Sequence, residues 1–241
     1  MHLTPFFSLL LLGVTPLAAL ASSILFHSGT IIAFKRGSPD GSMHDTLQVI
    51  RNGSVLVTDD RITSISTDAF PSVDEDTELI DISNKIITTG FIDTHRHGWQ
   101  TGFKTLGSNI TLTGYAEHFG QWAADGVLSA EDVYLGQLAG LYEALHGGVT
   151  TTVDHAHHTW SNETAEAGLR ASVDSGARVF WSYAFFNTTN GFTVGDQVAN
   201  FRALAERGVD LRGSPTTLGI AYDSFAAEDQ LEIEMMKALI R

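Results

Sequence analysis

From Lys85 to Arg241 extended apolar runs and amphipathic helical stretches alternate four times, and this alternation does most to limit the folds open to the chain. Strands alternating with helices of this length build a parallel sheet with helices packed on it. The first strand is read over 86–95. Ser129 then starts a helix, with Glu131 and Asp132 in its first turn and Val133, Leu138, Leu141, Tyr142 and Leu145 as an apolar stripe. Gly147 and Gly148 end it. The second strand is predicted over 149–154, followed by a helix over 163–175 capped by Asn162 and closed by Gly176. A third strand over 178–184, a helix over 194–207 ended by Gly208, a fourth strand over 217–222 and a helix over 228–240 complete the count. A closed (β/α)8 barrel takes eight such units over about 250 residues. The expected fold class is therefore α/β, a partial (β/α)8 TIM barrel of about four βα units occupying 88–241.

Upstream the grammar differs. Short β-rich runs over 24–34, 48–58, 61–66 and 78–82 are separated by turn formers. Asn52-Gly53 and Asp59-Asp60 are residues that tolerate the positive φ of hairpin turns, and the Gly/Ser/Pro/Asp stretch over 37–45 reads as an exposed loop. The expectation for 22–87 is a small antiparallel β-sandwich subdomain preceding the barrel.

The first residues carry an address. An apolar run from Phe6 to Val14, then Pro16 and the small-x-small Ala19-Leu20-Ala21, read as a signal peptide over 1–21. The run is shorter than the roughly 20 apolar residues that span a bilayer, so the expected product is secreted, extracellular and free of the membrane after cleavage. Four N-x-[ST] sequons, at Asn52, Asn109, Asn162 and Asn187, suit a glycoprotein on that route. The chain has 28 acidic and 14 basic residues, a formal net charge of −14, which argues against a nucleic-acid partner. It has no cysteine. Disulfides and thiolate metal sites are excluded, and a metal would have to be held by His and carboxylate.

Two segments carry the chemistry. Thr89-Gly90-Phe91-Ile92-Asp93-Thr94-His95-Arg96-His97 closes the first strand of the βα series. Side chains alternate along a strand, which puts Asp93, His95 and His97 on one face and Thr94 and Arg96 on the other. Two imidazoles two residues apart then reach a single metal ion at the strand's C-terminal end, where barrels of this kind carry their active sites. Zinc or iron suits neutral imidazole, and a divalent metal activates water for attack on an amide, amidine or ring C–N carbon. Arg96, pointing the other way, needs an acid, carbonyls or solvent. The second segment, Asp154-His155-Ala156-His157-His158, follows the second strand. It is either a capping Asp with solvated histidines or a substrate-binding loop, in which case His157 and His158 are the candidates. Trp99, Gln100, Trp160, Tyr183 and Tyr222-Asp223 follow strand ends and are pocket-wall or core residues.

The β-rich lead-in, Gly-Phe-Ile-Asp-Thr-His-x-His over 90–97 and Gly-Val-Thr-Thr-Thr-Val-Asp over 148–154 together resemble the amidohydrolase superfamily, in particular its cytosine deaminase and triazine hydrolase-like branch. The resemblance covers roughly 24–241. It implies a composite sandwich over 22–87, His95 and His97 as ligands of a divalent metal, zinc or iron, and a small-molecule substrate. The implied reaction is hydrolysis of a non-peptide carbon–nitrogen bond in an amide, cyclic amide or amino-substituted ring. In the superfamily the site is completed by histidines on the fifth and sixth strands and an aspartate on the eighth. The four units read here do not reach those strands, so no catalytic base is named, and a non-catalytic fragment with an incomplete metal site stands as the alternative.

Overall fold

The computed structural model describes residues 23–35, 37, 44–207, 211–226 and 230–240. The predicted leader over 1–21, most of the 37–45 loop, the helix stop at Gly208 and the start of the last helix at Glu228 lie outside the described residues. The chain divides into two compact units, with the break between Thr89 and Gly90.

The described residues of the first unit form a five-stranded sheet: β1 (Ser23–Lys35), β2 (Thr46–Thr58), β3 (Arg61–Ser66), β4 (Glu78–Asp81) and β5 (Ile86–Ile87), with spatial order β3-β2-β1-β4 and β5 also on β1. Leu25, Ile31 and Ala33 alternate along β1 onto the buried face, where Ile31 and Ala33 meet Ile50, Val55 and Ile82. The expected antiparallel unit needs correction. The pairs β1–β2 and β2–β3 are antiparallel, but β4 and β5 run parallel to β1. The long connection from Ser66 to Glu78 gives the chain enough length to cross over and re-enter in the same direction. Asn52-Gly53 is likewise no hairpin turn. It lies inside β2, where Gly29 pairs with Gly53 across a register shift and Ser28 and Asn52 take φ of 66° and 50°. A Cβ on Gly53 would sit 2.7 Å from the Ser66 carbonyl oxygen. The turn between β2 and β3 is made by Asp59-Asp60, as expected.

In the second unit four strands, β6 (Phe91–Arg96), β7 (Val149–Ala156), β8 (Arg178–Phe185) and β9 (Thr217–Tyr222), are all parallel in the order β6-β7-β8-β9. A 3-10 turn (Gly98–Phe103) and helices α1 (Leu112–His118), α2 (Gln121–Ala124) and α3 (Ala130–His146) join β6 to β7; α4 (Asn162–Asp174), α5 (Val194–Arg207) and α6 (Gln230–Leu239) follow the other three strands. One face of the sheet meets the helices. Val179, Trp181, Tyr183 and Phe185 of β8 are buried in the same cluster as Leu141 of α3, Leu169 of α4 and Val198 and Leu204 of α5.

Three details differ from expectation. The strand predicted over 86–95 is two strands in two sheets, β5 and β6, separated at 88–90, where Gly90 fits against Thr150 with no room for a side chain. The N-cap of α4 is Ser161, which exchanges a capping box with Thr164; Asn162 is the first helical residue. The stretch 98–125, read only as a connection, contains the 3-10 turn, α1 and α2. The helix start at Ser129, which shares a capping box with Asp132, and the stops at Gly148 (φ 86°) and Gly176 (φ 68°) are as predicted. No helix among the described residues is long and apolar enough to cross a membrane.

Candidate metal centre

His95 and His97 stand at the C-terminal end of β6, but simple alternation does not put them there. Asp93 pairs with Thr152 and Arg96 with Asp154, so β6 holds one extra residue at Thr94-His95. This bulge bends the strand end and brings Asp93 and Arg96, expected on opposite faces, into an ion pair of 3.6 Å. Arg96 also donates to the Gly140 carbonyl at 2.8 Å, which meets the need for a carbonyl or acid on the helix side.

The two imidazoles converge: His95 Nε2 lies 3.2 Å from His97 Nε2. Tetrahedral zinc with Zn–N bonds of about 2.0–2.1 Å sets its nitrogen ligands about 3.4 Å apart, so the pair already has the spacing of two ligands on one ion. The tautomer of His97 fits as well. Its Nδ1 is 2.8 Å from the His155 carbonyl oxygen. A carbonyl only accepts, so the proton sits on Nδ1 and the Nε2 lone pair is left for a metal. Burial pushes the His97 pKa below the usual imidazole value, which keeps the ring neutral, although the bond to His155 works in the opposite direction.

Three further histidines surround this pair. The His155 ring centroid is 5.4 Å from that of His95 and 5.3 Å from that of His97, and His155 Nε2 donates to Asp223 Oδ2 at 2.9 Å. His157 stacks on His97 with centroids 3.9 Å apart, and its Nδ1 accepts the Trp99 indole N–H at 3.1 Å. Burial, with neighbouring imidazoles adding to it, drives the His157 pKa down to about 2. His157 is therefore a neutral ring with its proton on Nε2.

His158, expected beside His157 in the substrate site, is fully enclosed. Its ring packs against Trp181 and onto Gly168 of α4, where a Cβ would sit 2.0 Å from Nε2. Neither of its ring nitrogens has a hydrogen-bond partner among the described residues.

Asp154 caps no helix. It is a fully buried carboxylate that accepts from Gly98 N–H (3.1 Å) and Gln137 Nε2 (2.5 Å), and burial pushes its pKa up to about 6. Trp99, Trp160 and Tyr183 are core residues, and Gln100 is tied to Tyr115 and the Phe119 carbonyl. Of the residues grouped as pocket walls, Trp99 and Asp223 both bond to the histidine cluster, Trp99 through His157 and Asp223 through His155. The sequence reading preferred His157 and His158 to His155 and gave Asp223 no more than a pocket-wall place. The missed signal was strand alternation along β7, which puts Asp154 and Ala156 on the helix face and His155 opposite them.

Residues 86–238, well over half of the chain, match the profile of the amidohydrolase family. The chain belongs to this family. Among amidohydrolase relatives, a 5'-deoxyadenosine deaminase of Methanosarcina barkeri is 33% identical over 138 residues, 55% of this chain and 30% of that protein. A guanine deaminase from C. acetobutylicum with bound guanine gives a TM-score of 0.68 at 14% identity, covering 90% of this chain and 50% of the other. An atrazine chlorohydrolase from Arthrobacter aurescens complexed with zinc and atraton gives 0.68 at 16% identity with the same coverage. At such identities the two structures speak to fold. The chain spans about half the length of these amidohydrolase structures and less than a third of the curated relative.

Among the described residues no cluster of three or more His, Cys, Asp or Glu side chains is placed to hold a metal. His95 and His97 thus fit two positions of a metal's coordination shell.

Proposed function

We propose that this chain is the metal-ligating part of an amidohydrolase that removes an amino group from a nitrogen heterocycle, with His95 and His97 as two ligands of a divalent ion, zinc or iron. The observation that carries the reading is the 3.2 Å separation of their Nε2 atoms. The deaminase relatives, by name, act on purine nucleosides or purines, which supports amino-substituted rings over open-chain amides. Held by His95 and His97, a divalent ion would supply an activated water for attack on the ring carbon that bears the amino group. The chain's own residues hold it: the His155 carbonyl keeps His97 in the ligating tautomer, buried His157 backs the His97 ring, and the His155–Asp223 pair is assigned to the substrate side in this reading. His158 is left to the core.

The remaining ligands and the catalytic base belong, in this proposal, to strands outside these 241 residues, completing a (β/α)8 barrel of which β6–β9 are four strands. Transcript sequence past the Arg241 codon is expected to encode further βα units with His, His and Asp at strand ends. The encoded protein, loaded with zinc, is expected to release ammonia from 5'-deoxyadenosine or guanine. A stop codon directly after Arg241 in transcripts from several growth states would sink this part. The alternative is a non-catalytic fragment with an incomplete metal site. Stoichiometric zinc together with turnover in the longer encoded protein would reject it.

The secretory address is part of the proposal. Asn52, Asn109, Asn162 and Asn187 are all exposed. Expressed from its own first residues in a eukaryotic secretory host, the chain is expected in the medium, shortened by about its first 21 residues and carrying N-glycans removable by glycosidase. Retention in the cytosol at full mass would count against both.

A further inference from the structure

We propose that Asp154, held by Gln137 of α3, is the positioning residue that sets the His95/His97 pair before any metal arrives. The inference rests on the metal-hydrolase reading above and deepens it. The β6–β7 ladder ends at the pair Arg96–Asp154, so His97 itself is beyond the regular strand. Two bonds take over there: His97 Nδ1–H to the His155 carbonyl (2.8 Å) and Gly98 N–H to Asp154 Oδ1 (3.1 Å). The acceptors belong to successive residues of β7, and together they fix both the ring of His97 and the backbone that leaves it.

Asp154 is in turn held from the helix side. Gln137 Nε2 donates to Asp154 Oδ2 at 2.5 Å and to Ser172 Oγ at 3.1 Å, and all three side chains are buried. The backbone around Gly98 has no slack against α3. A Cβ on Gly98 would lie 2.4 Å from Gln137 Oε1, one on Gly136 would lie 2.4 Å from the Trp99 carbonyl oxygen, and one on Gly140 would lie 2.8 Å from the Gly98 carbonyl oxygen. Arg96 meets the same helix through the Gly140 carbonyl. His97 is therefore clamped at the residue before it and the residue after it. A buried carboxylate is a costly group to keep in a fold unless its hydrogen bonds are used, and here one oxygen serves the ligand segment and the other its support.

The test uses the 241-residue chain without metal and reads two quantities: the tautomer of His97 by long-range 1H–15N correlation of the imidazoles, and zinc affinity by calorimetry. In the unaltered chain His97 is expected in the Nδ1–H form. Asp154→Ala is expected to leave mixed tautomers and to weaken zinc binding about 10- to 100-fold, the range for lost outer-sphere partners of a metal ligand. Asp154→Asn is the rescue. Its Oδ1 still accepts from Gly98, and its Nδ2–H donates to Gln137 Oε1 once that amide turns, at the cost of the Gln137–Ser172 bond, so the tautomer is retained and affinity stays within about threefold, well short of the loss in the alanine variant. Unchanged tautomer and affinity in Asp154→Ala, or Asp154→Asn as damaging as alanine, would overturn the proposal. If Asp154→Ala does not fold by circular dichroism, Gln137→Met decides: a shift of tautomer in the same direction supports the inference and none refutes it. An unaltered chain that takes up no zinc would count against the metal reading alone, since the tautomer comparison still tests the positioning.

Discussion

Replacing His97 by alanine is expected to lower the zinc affinity of the chain by at least about 100-fold. The reasoning compares ligands with their supports. Loss of an outer partner of a ligating histidine weakens metal binding about 10- to 100-fold, and loss of the ligand removes the coordinate bond itself. With two nitrogens 3.2 Å apart and no third donor among the described residues, a single remaining imidazole has nothing to chelate with. His95→Ala is expected to behave alike. His146→Ala, at the far end of α3, serves as the control and should bind as the parent does. His95 is exposed and His97 half-buried, so both variants should melt within about 4 °C of the parent, the shift that about 1 kcal/mol produces in a chain of this size. Calorimetry with zinc together with a thermal melt checks both halves. Parental affinity in His97→Ala would remove the pair from the metal site.

What the sequence disclosed about this site follows the reach of each local rule. Strands β7, β8 and β9 fall within two residues of their expected bounds, because β7 opens with a β-branched run right after Gly148, β8 is rich in aromatic residues just past Gly176, and β9 follows the Gly213–Pro215 turn. The stretch 98–125 escaped for the opposite reason. Its helical pieces are four to seven residues long, and Gly102, Gly107, Gly114 and Gly120 interrupt them, so no periodicity accumulates. The bulge in β6 is a property of its pairing with β7, and neither strand's sequence announces it.

The histidines of the second segment show how a boundary error becomes a functional one. Ending β7 at Asp154 turned His155 into a loop residue with no defined direction. With β7 continued to Ala156, alternation separates His155 from Asp154 and aims it at the His95/His97 side. The chain then turns sharply, His157 N–H bonding to the His155 carbonyl at 3.0 Å, which is why His157 and His158 obey no strand rule and end in different surroundings. Asp154 was misread because the sequence offers a carboxylate after a strand, where capping is common. Its buried partner Gln137 lies 17 positions away on another element.

Acidification is expected to destabilise the second unit through His158, and His158→Leu is expected to remove that part of the response. The ring has no exposed surface and neither nitrogen has a partner among the described residues, so nothing offsets the burial of a charge. Burial accordingly takes its pKa down to about 3, against about 6.5 in an unfolded chain. Between those two values the unfolded state binds the proton and the folded state does not, so stability falls as pH drops through 6.5 and the loss is complete below 3. From pH 7 to pH 5 this amounts to about 2 kcal/mol. Asp154 works in the other direction: its pKa is raised to about 6, so the folded state takes up its proton first and gains about 1 kcal/mol over the same interval. That contribution is common to parent and variant and cancels in their difference. All four tryptophans, Trp99, Trp122, Trp160 and Trp181, lie in the second unit, so urea unfolding followed by their fluorescence reports on it alone. Between pH 7 and pH 5 His158→Leu should lose about 2 kcal/mol less than the parent. Parallel pH dependence in the two proteins would mean that the His158 ring is hydrated or paired in solution and titrates close to its unfolded value.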